Sequence, residues 1–178
     1  MGFIRHPFRR ERARPGQALV EFALVVLPFL LLIAGTVQFG LLLNANVTLT
    51  NAAREGARMG SIYAYKNTDD QATNDRSRCT SIVTAVTQAM GFLNTTAPNF
   101  SASNPCPALS GDTWVNGDIT ITYTRPAAIN QNDARQAYEM RVRVAYRQDI
   151  IVPLVGGLLT TDPNGRFVQY GEVVMVIN

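Results

Sequence analysis

Residues 14–43 read RPGQALVEFALVVLPFLLLIAGTVQFGLLL, and their reading decides the rest. From Ala18 to Leu43 there is one charged side chain, Glu21. About 20 helical residues cross the roughly 30 Å hydrocarbon core of a bilayer, and this run exceeds that. It predicts a transmembrane helix over residues 17–43. Just before it lie Arg5, Arg9, Arg10, Arg12 and Arg14 against the single acid Glu11. Residues 1–16 therefore carry +4 and the remaining 162 residues −1, so the net charge of +3 comes from the leader. Arginines beside an apolar span mark its cytoplasmic end, so residues 1–16 read as a basic cytoplasmic leader and the rest as outside. The later arginines are scattered among acids, which argues against a nucleic-acid surface.

Two processing routes compete for this segment. As a secretory signal peptide it would be cut near Ile33-Ala34-Gly35, a poor cleavage site, and Pro28 interrupts its apolar run. Alternatively the helix is retained and the cut falls between Gly16 and Gln17. The second route accounts for the Pro15-Gly16 break and for Glu21 together, and we adopt it.

Past Leu43 the helical pattern continues without proline. Ala45, Leu49, Ala52, Ala53, Gly56 and Gly60 recur at steps of three and four, so they share one face. Arg54 and Arg58 lie opposite. Residues 44–63 therefore read as an extracytoplasmic extension of the same helix, about 69 Å long in all. Small residues at Ala52, Gly56 and Gly60 suit a second helix packing closely. They equally suit this chain's own sheet approaching that face.

Residues 64–178 read as an extracytoplasmic α+β domain. Asp69-Asp70 or Asn74-Asp75 caps a second helix over about 70–92, with Ile82, Val83, Val86, Met90 and Leu93 at helical spacing. Gly91 ends it. Residues 94–111 form a polar, proline-containing loop. Cys79 and Cys106 lie beyond the span, where an oxidising compartment favours a disulfide; two unpaired thiols are the alternative. Three strands follow. Ile119, Ile121 and Tyr123 alternate with threonines. Met140, Val142 and Val144 alternate with Arg141 and Arg143, so one face is buried and one wet. Residues 167–177 are apolar on both sides, which predicts a central or doubly covered strand. Residues 150–159 (IIVPLVGGLL) are apolar without a strand period, and Asp162-Pro163-Asn164-Gly165 is a turn. The fold class is α+β: a long N-terminal helix packed on a small antiparallel sheet with a second helix.

Catalytic chemistry is not expected. The single histidine, His6, lies in the leader, and neither a nucleophile elbow nor a phosphate loop is present. Asp112 and Asp118 are a weak carboxylate pair, since both sit in turn-like sequence. No metal or cofactor is expected. The distinctive chemistry is Glu21 inside the apolar run. An ionised carboxylate there is expensive unless shallow or partnered. A cut after Gly16 would free the α-amino group of Gln17, about 6 Å away along the helix, or on a neighbouring subunit offset by a turn. The plainer reading places Glu21 at the positive end of the helix dipole.

Residues 14–24, RPGQALVEFAL, resemble the processing motif of type IV prepilins, and most closely that of TadE-like minor pilins, or pseudopilins, of tight-adherence (Flp-type) pili. The later block 50–58, TNAAREGAR, resembles the second hallmark of that family. The resemblance covers residues 14–60. It implies a pilin-like fold, peptidase cleavage between Gly16 and Gln17, and assembly roles for Glu21 and Phe22. It implies a structural subunit in the cytoplasmic membrane for pilus assembly and adhesion, not an enzyme. The implied partners are a prepilin peptidase, other pilin-like subunits meeting through the N-terminal helix, and the pilus assembly platform. Residues 66–115 carry no motif of the family. The rival reading is a single-span, membrane-anchored binding module with no filament role.

Overall fold

Helix α1, Pro15–Ser61, runs for 47 residues, about 70 Å. The structure, a computed structural model, describes residues 15–95, 100–107, 109, 111–152 and 162–178. Residues 1–14 of the leader expected over 1–16, and most of the apolar run expected over 150–159, lie outside the described residues. Helix α1 starts two residues before the expected Gln17. Proline fits the first turn because its missing N–H would be unpaired there in any case.

Helix α2, Gln71–Met90, is started by Asp70, whose side chain accepts from the Thr73 N–H at 2.7 Å. Asp70 is thereby held below its usual carboxyl pKa, by the Thr73 hydrogen bonds. The helix stops at Gly91, where φ is 48°. A single turn, α3, Phe92–Thr95, replaces the start of the expected loop.

The sheet is a four-stranded antiparallel meander in the order β1-β2-β3-β4: Thr113–Asn116, Ile119–Thr124, Glu139–Gln148 and Phe167–Val176. Strand β1 adds one strand to the three expected. It is four residues long and pairs with β2 through the turn at Gly117-Asp118. Strand β3 keeps its alternation, with Met140, Val142 and Val144 buried and Arg141 and Arg143 exposed. Strand β4 corrects the expectation of a central or doubly covered strand: it is the sheet edge. Its odd-numbered residues face α1, while Tyr170, Val174 and Val176 are exposed on the other side. Valines on both faces gave no sign of which side was covered.

Helix α1 crosses β4 at Gly171. A Cβ at that position would run into the Leu49 carbonyl, so only glycine allows this approach without a shift. The core between the helices and the sheet holds Leu49, Ala53, Ile82, Val86, Trp114 and Ile121, all nearly inaccessible to solvent. Cys79 on α2 is joined to Cys106 by a disulfide with a Cα–Cα distance of 6.2 Å. It ties the segment 100–107 across the core. Asp118 holds that segment from the other side: its N–H donates to Ser101 O at 2.5 Å, and its carboxylate accepts from the Ser101 N–H at 3.0 Å and from Arg147.

Candidate assembly and membrane face of the N-terminal helix

The two halves of α1 have different surroundings. From Gln17 to Val37 no residue is buried, and Leu19, Phe22, Leu24 and Leu32 stand well out. From Gln38 onward one face is covered. Gln38, Leu42, Ala45 and Leu49 turn inward at steps of three and four. One apolar helix, Gly16–Ser61, is long and apolar enough to cross a membrane by length and composition. Its apolar window is not buried within the fold, which distinguishes it from an ordinary core helix and fits a single-pass anchor.

At the lower end, Gln17 Nε2 donates to Glu21 Oε1 at 3.3 Å, one turn along the helix. Glu21 and Phe22 are both exposed, and a Cβ at Gly16 would meet nothing. Gly16, Gln17, Glu21 and Phe22 therefore share one free helix end.

The small-residue stripe lies elsewhere and turns inward. Ala52 is buried in the domain core. A Cβ at Gly56 would come to 2.5 Å from Val86 Cγ2, and one at Gly60 to 2.6 Å from Ile82 Cδ1 and Met140 Cε. Of the two uses open for Ala52, Gly56 and Gly60, the structure takes the internal one: they let α2 and β3 approach α1. The opposite face carries Arg58, which binds Glu55 through two hydrogen bonds of 3.0 and 2.5 Å. The Arg58 hydrogen bond lowers the Glu55 pKa.

Asp112 and Asp118 do not meet as a pair. Asp112 accepts from Arg135 Nη1 at 2.9 Å, and Asp118 pairs with Arg147. Sequence reasoning missed the buried cluster that Arg135 completes. Arg135 reaches Asp75 at 3.3 Å, Arg78 donates to the Ala134 carbonyl at 3.0 Å, and the Arg135 guanidinium stacks 4.6 Å from the Tyr123 ring centre. Burial works against the Arg135 charge, but Asp75 and Asp112 outweigh it and raise its pKa. Burial pushes Tyr123 up to about 12. This cluster locks the loop 132–135 onto α2 and has the character of a structural tie. Among the described residues, no group of three His, Cys, Asp or Glu side chains could hold a metal ion.

Reasoning also passed over Gln38, the one amide in the apolar run. Its Oε1 accepts from the Ile151 N–H at 2.9 Å and its Nε2 donates to the Asp149 carbonyl at 3.4 Å. A lone amide side chain among residues 22–43 was the available signal.

The exposed helix end, Glu21, and Ala52 and Gly56 of the inward stripe fall within one stretch of the chain. Residues 16–58 match the family model of the TadE-like protein. The match spans the exposed lower half of α1 and most of the half that packs on the domain. It points to a protein related to the tight-adherence pilus. Neither the curated proteins nor the solved structures compared hold a match to this chain. The domain formed by α2 and the sheet therefore stands outside the matched TadE-like segment.

Proposed function

We propose that this chain is a pilin-like structural subunit of a tight-adherence type pilus. In this reading a prepilin peptidase cuts between Gly16 and Gln17. The helix 17–43 spans the cytoplasmic membrane with its N-terminus inside, and the α+β domain lies outside. The subunit then meets other pilin-like subunits and the assembly platform through α1, to serve pilus assembly and adhesion. The observation that carries the reading is the helix itself: its TadE-like segment has a lower half of about 32 Å with no apolar side chain buried, headed by Gly16 and Glu21. Because Ala52, Gly56 and Gly60 are used internally, contact with other subunits falls to this lower half and not to the stripe.

Cleavage requires residues 15–17 to leave the helix. This is inexpensive, since the N–H groups of the first turn make no intrahelical hydrogen bond. After cleavage the new Gln17 amine pairs with Glu21 of the same or a neighbouring subunit, in a bundle where water is excluded. Glu21→Ala tests this. The span becomes more apolar, so insertion is retained or improved. Breaking a buried ion pair costs about 3–5 kcal/mol, so mature, inserted protein should assemble poorly, and Glu21→Gln should recover only part of the loss. Counting surface filaments and crosslinking subunits reads the result. Normal assembly with Glu21→Ala would remove the pairing role and leave Glu21 as an anion at the helix end.

A further inference from the structure

Gln38 fixes the level at which the domain sits on the helix. Glu21 is the one charge in the run 18–43, and Gln38 lies 17 residues above it, about 26 Å along the axis. With Glu21 at the inner boundary, a core of roughly 30 Å ends near Leu41, above Gln38. Two polar side chains lie in residues 22–43, Thr36 and Gln38. Thr36 Oγ1 donates to the Leu32 carbonyl at 2.9 Å, within the helix. Gln38 is buried to 1% exposure, and both ends of its amide are taken by the backbone of Ile151 and Asp149. Each polar side chain in the span is thus satisfied without water, as a group at that depth requires. The groups that satisfy Gln38 come from the domain, so the domain edge reaches the same level.

We infer that the domain edge at Asp149, Ile150 and Ile151 is a second membrane-contacting element, seated in the outer lipid interface beside the helix. It rests on the membrane-anchored reading above and adds an exposed apolar side chain at the level of Gln38. The Ile151 side chain is 67% exposed while its N–H is fixed to Gln38, so it adds to the band of Phe39, Leu41 and Leu43, which are also exposed. Gln169 strengthens the seat by donating to the Leu42 carbonyl at 3.2 Å. The exposed Asp149 carboxylate sets the depth, because a charge is tolerated among headgroups and costly below them. The domain is then held at a fixed height on the bilayer and does not swing freely on a long helix.

The test uses the full chain in vesicles of phosphatidylcholine and phosphatidylglycerol that carry spin labels in the headgroup, in the upper acyl chain or near the acyl-chain end, the last to reach the depth of Leu32. Ile151→Cys, Leu32→Cys and Val174→Cys are each labelled with a small fluorophore; Cys79 and Cys106 are occupied by their disulfide. Quenching at Ile151 comparable to a Leu41→Cys probe, with Val174 left unquenched, supports the inference. Quenching at Leu32 with Ile151 as unquenched as Val174 overturns it and leaves the anchor reading standing. An unquenched Leu32 overturns both.

Discussion

Replacing Cys79 and Cys106 together by alanine should cost the domain a large part of its stability. The bridge joins residues 27 apart. The chain-entropy estimate for closing a loop of that size is about 3.5 kcal/mol, against a total of about 5–15 kcal/mol for a typical domain. For a unit of this size that is a fall in Tm of about 10–20 °C. Both cysteines are buried, so alanine leaves a small void and adds slightly to the loss. The assay should follow the domain and not α1, whose helical signal dominates far-UV spectra. Trp114, the single tryptophan, is buried in the core between α2 and the sheet, and its fluorescence in detergent micelles reports that unit. Hydrogen exchange should rise first at residues 100–107, where the Asp118 contacts and the packing of Phe100 would remain without the covalent tie. A melting temperature within about 2 °C of the parent would refute the argument, because it would mean the strap contributes none of the loop-closure entropy assigned to it.

Two further substitutions test the packing. Val142→Asp should unfold the domain, since it places an unpaired carboxylate under α1, whereas Arg143→Ser, which loses only exposed contacts to Tyr170 and Glu172, should cost about 1 kcal/mol or less in the Trp114 melt. Equal tolerance of the two would mean the β3 register is wrong. Gly171→Val should separate α1 from β4 because its Cβ meets the Leu49 backbone, while Gly35→Ala, which meets nothing, should be silent. Limited proteolysis that cleaves neither variant faster than the parent would contradict that crossing.

Some of this architecture was legible in the sequence for definite reasons. The length of α1 follows from one uninterrupted helical pattern, and the strict period of two in β3 assigns its faces without help from the rest of the chain. Asp70 and Gly91 bound α2 through local hydrogen bonding, so they too can be read locally. Edge or centre for β4 is a property of its neighbours, and a strand with valine on both faces is silent on it. The same holds for Ala52, Gly56 and Gly60: small size permits a close approach but does not say by what. Strand β1 is too short to show a period. At the candidate site, Gly16, Glu21 and Phe22 are legible because a motif places them, whereas Gln38 acquires its meaning only when Asp149 and Ile151 fold back 111 and 113 residues later. The Asp75–Arg78–Arg135 cluster likewise joins α2 to a distant loop, and scattered arginines gave no hint of it.

The central claim, a processed pilin-like subunit, is tested most directly by the N-terminal mass of the intact protein taken from membranes. The account predicts a chain that begins at Gln17. A chain that begins at Met1 would contradict it and favour the membrane-anchored binding module, and one that begins near Thr36 would make this a secreted protein.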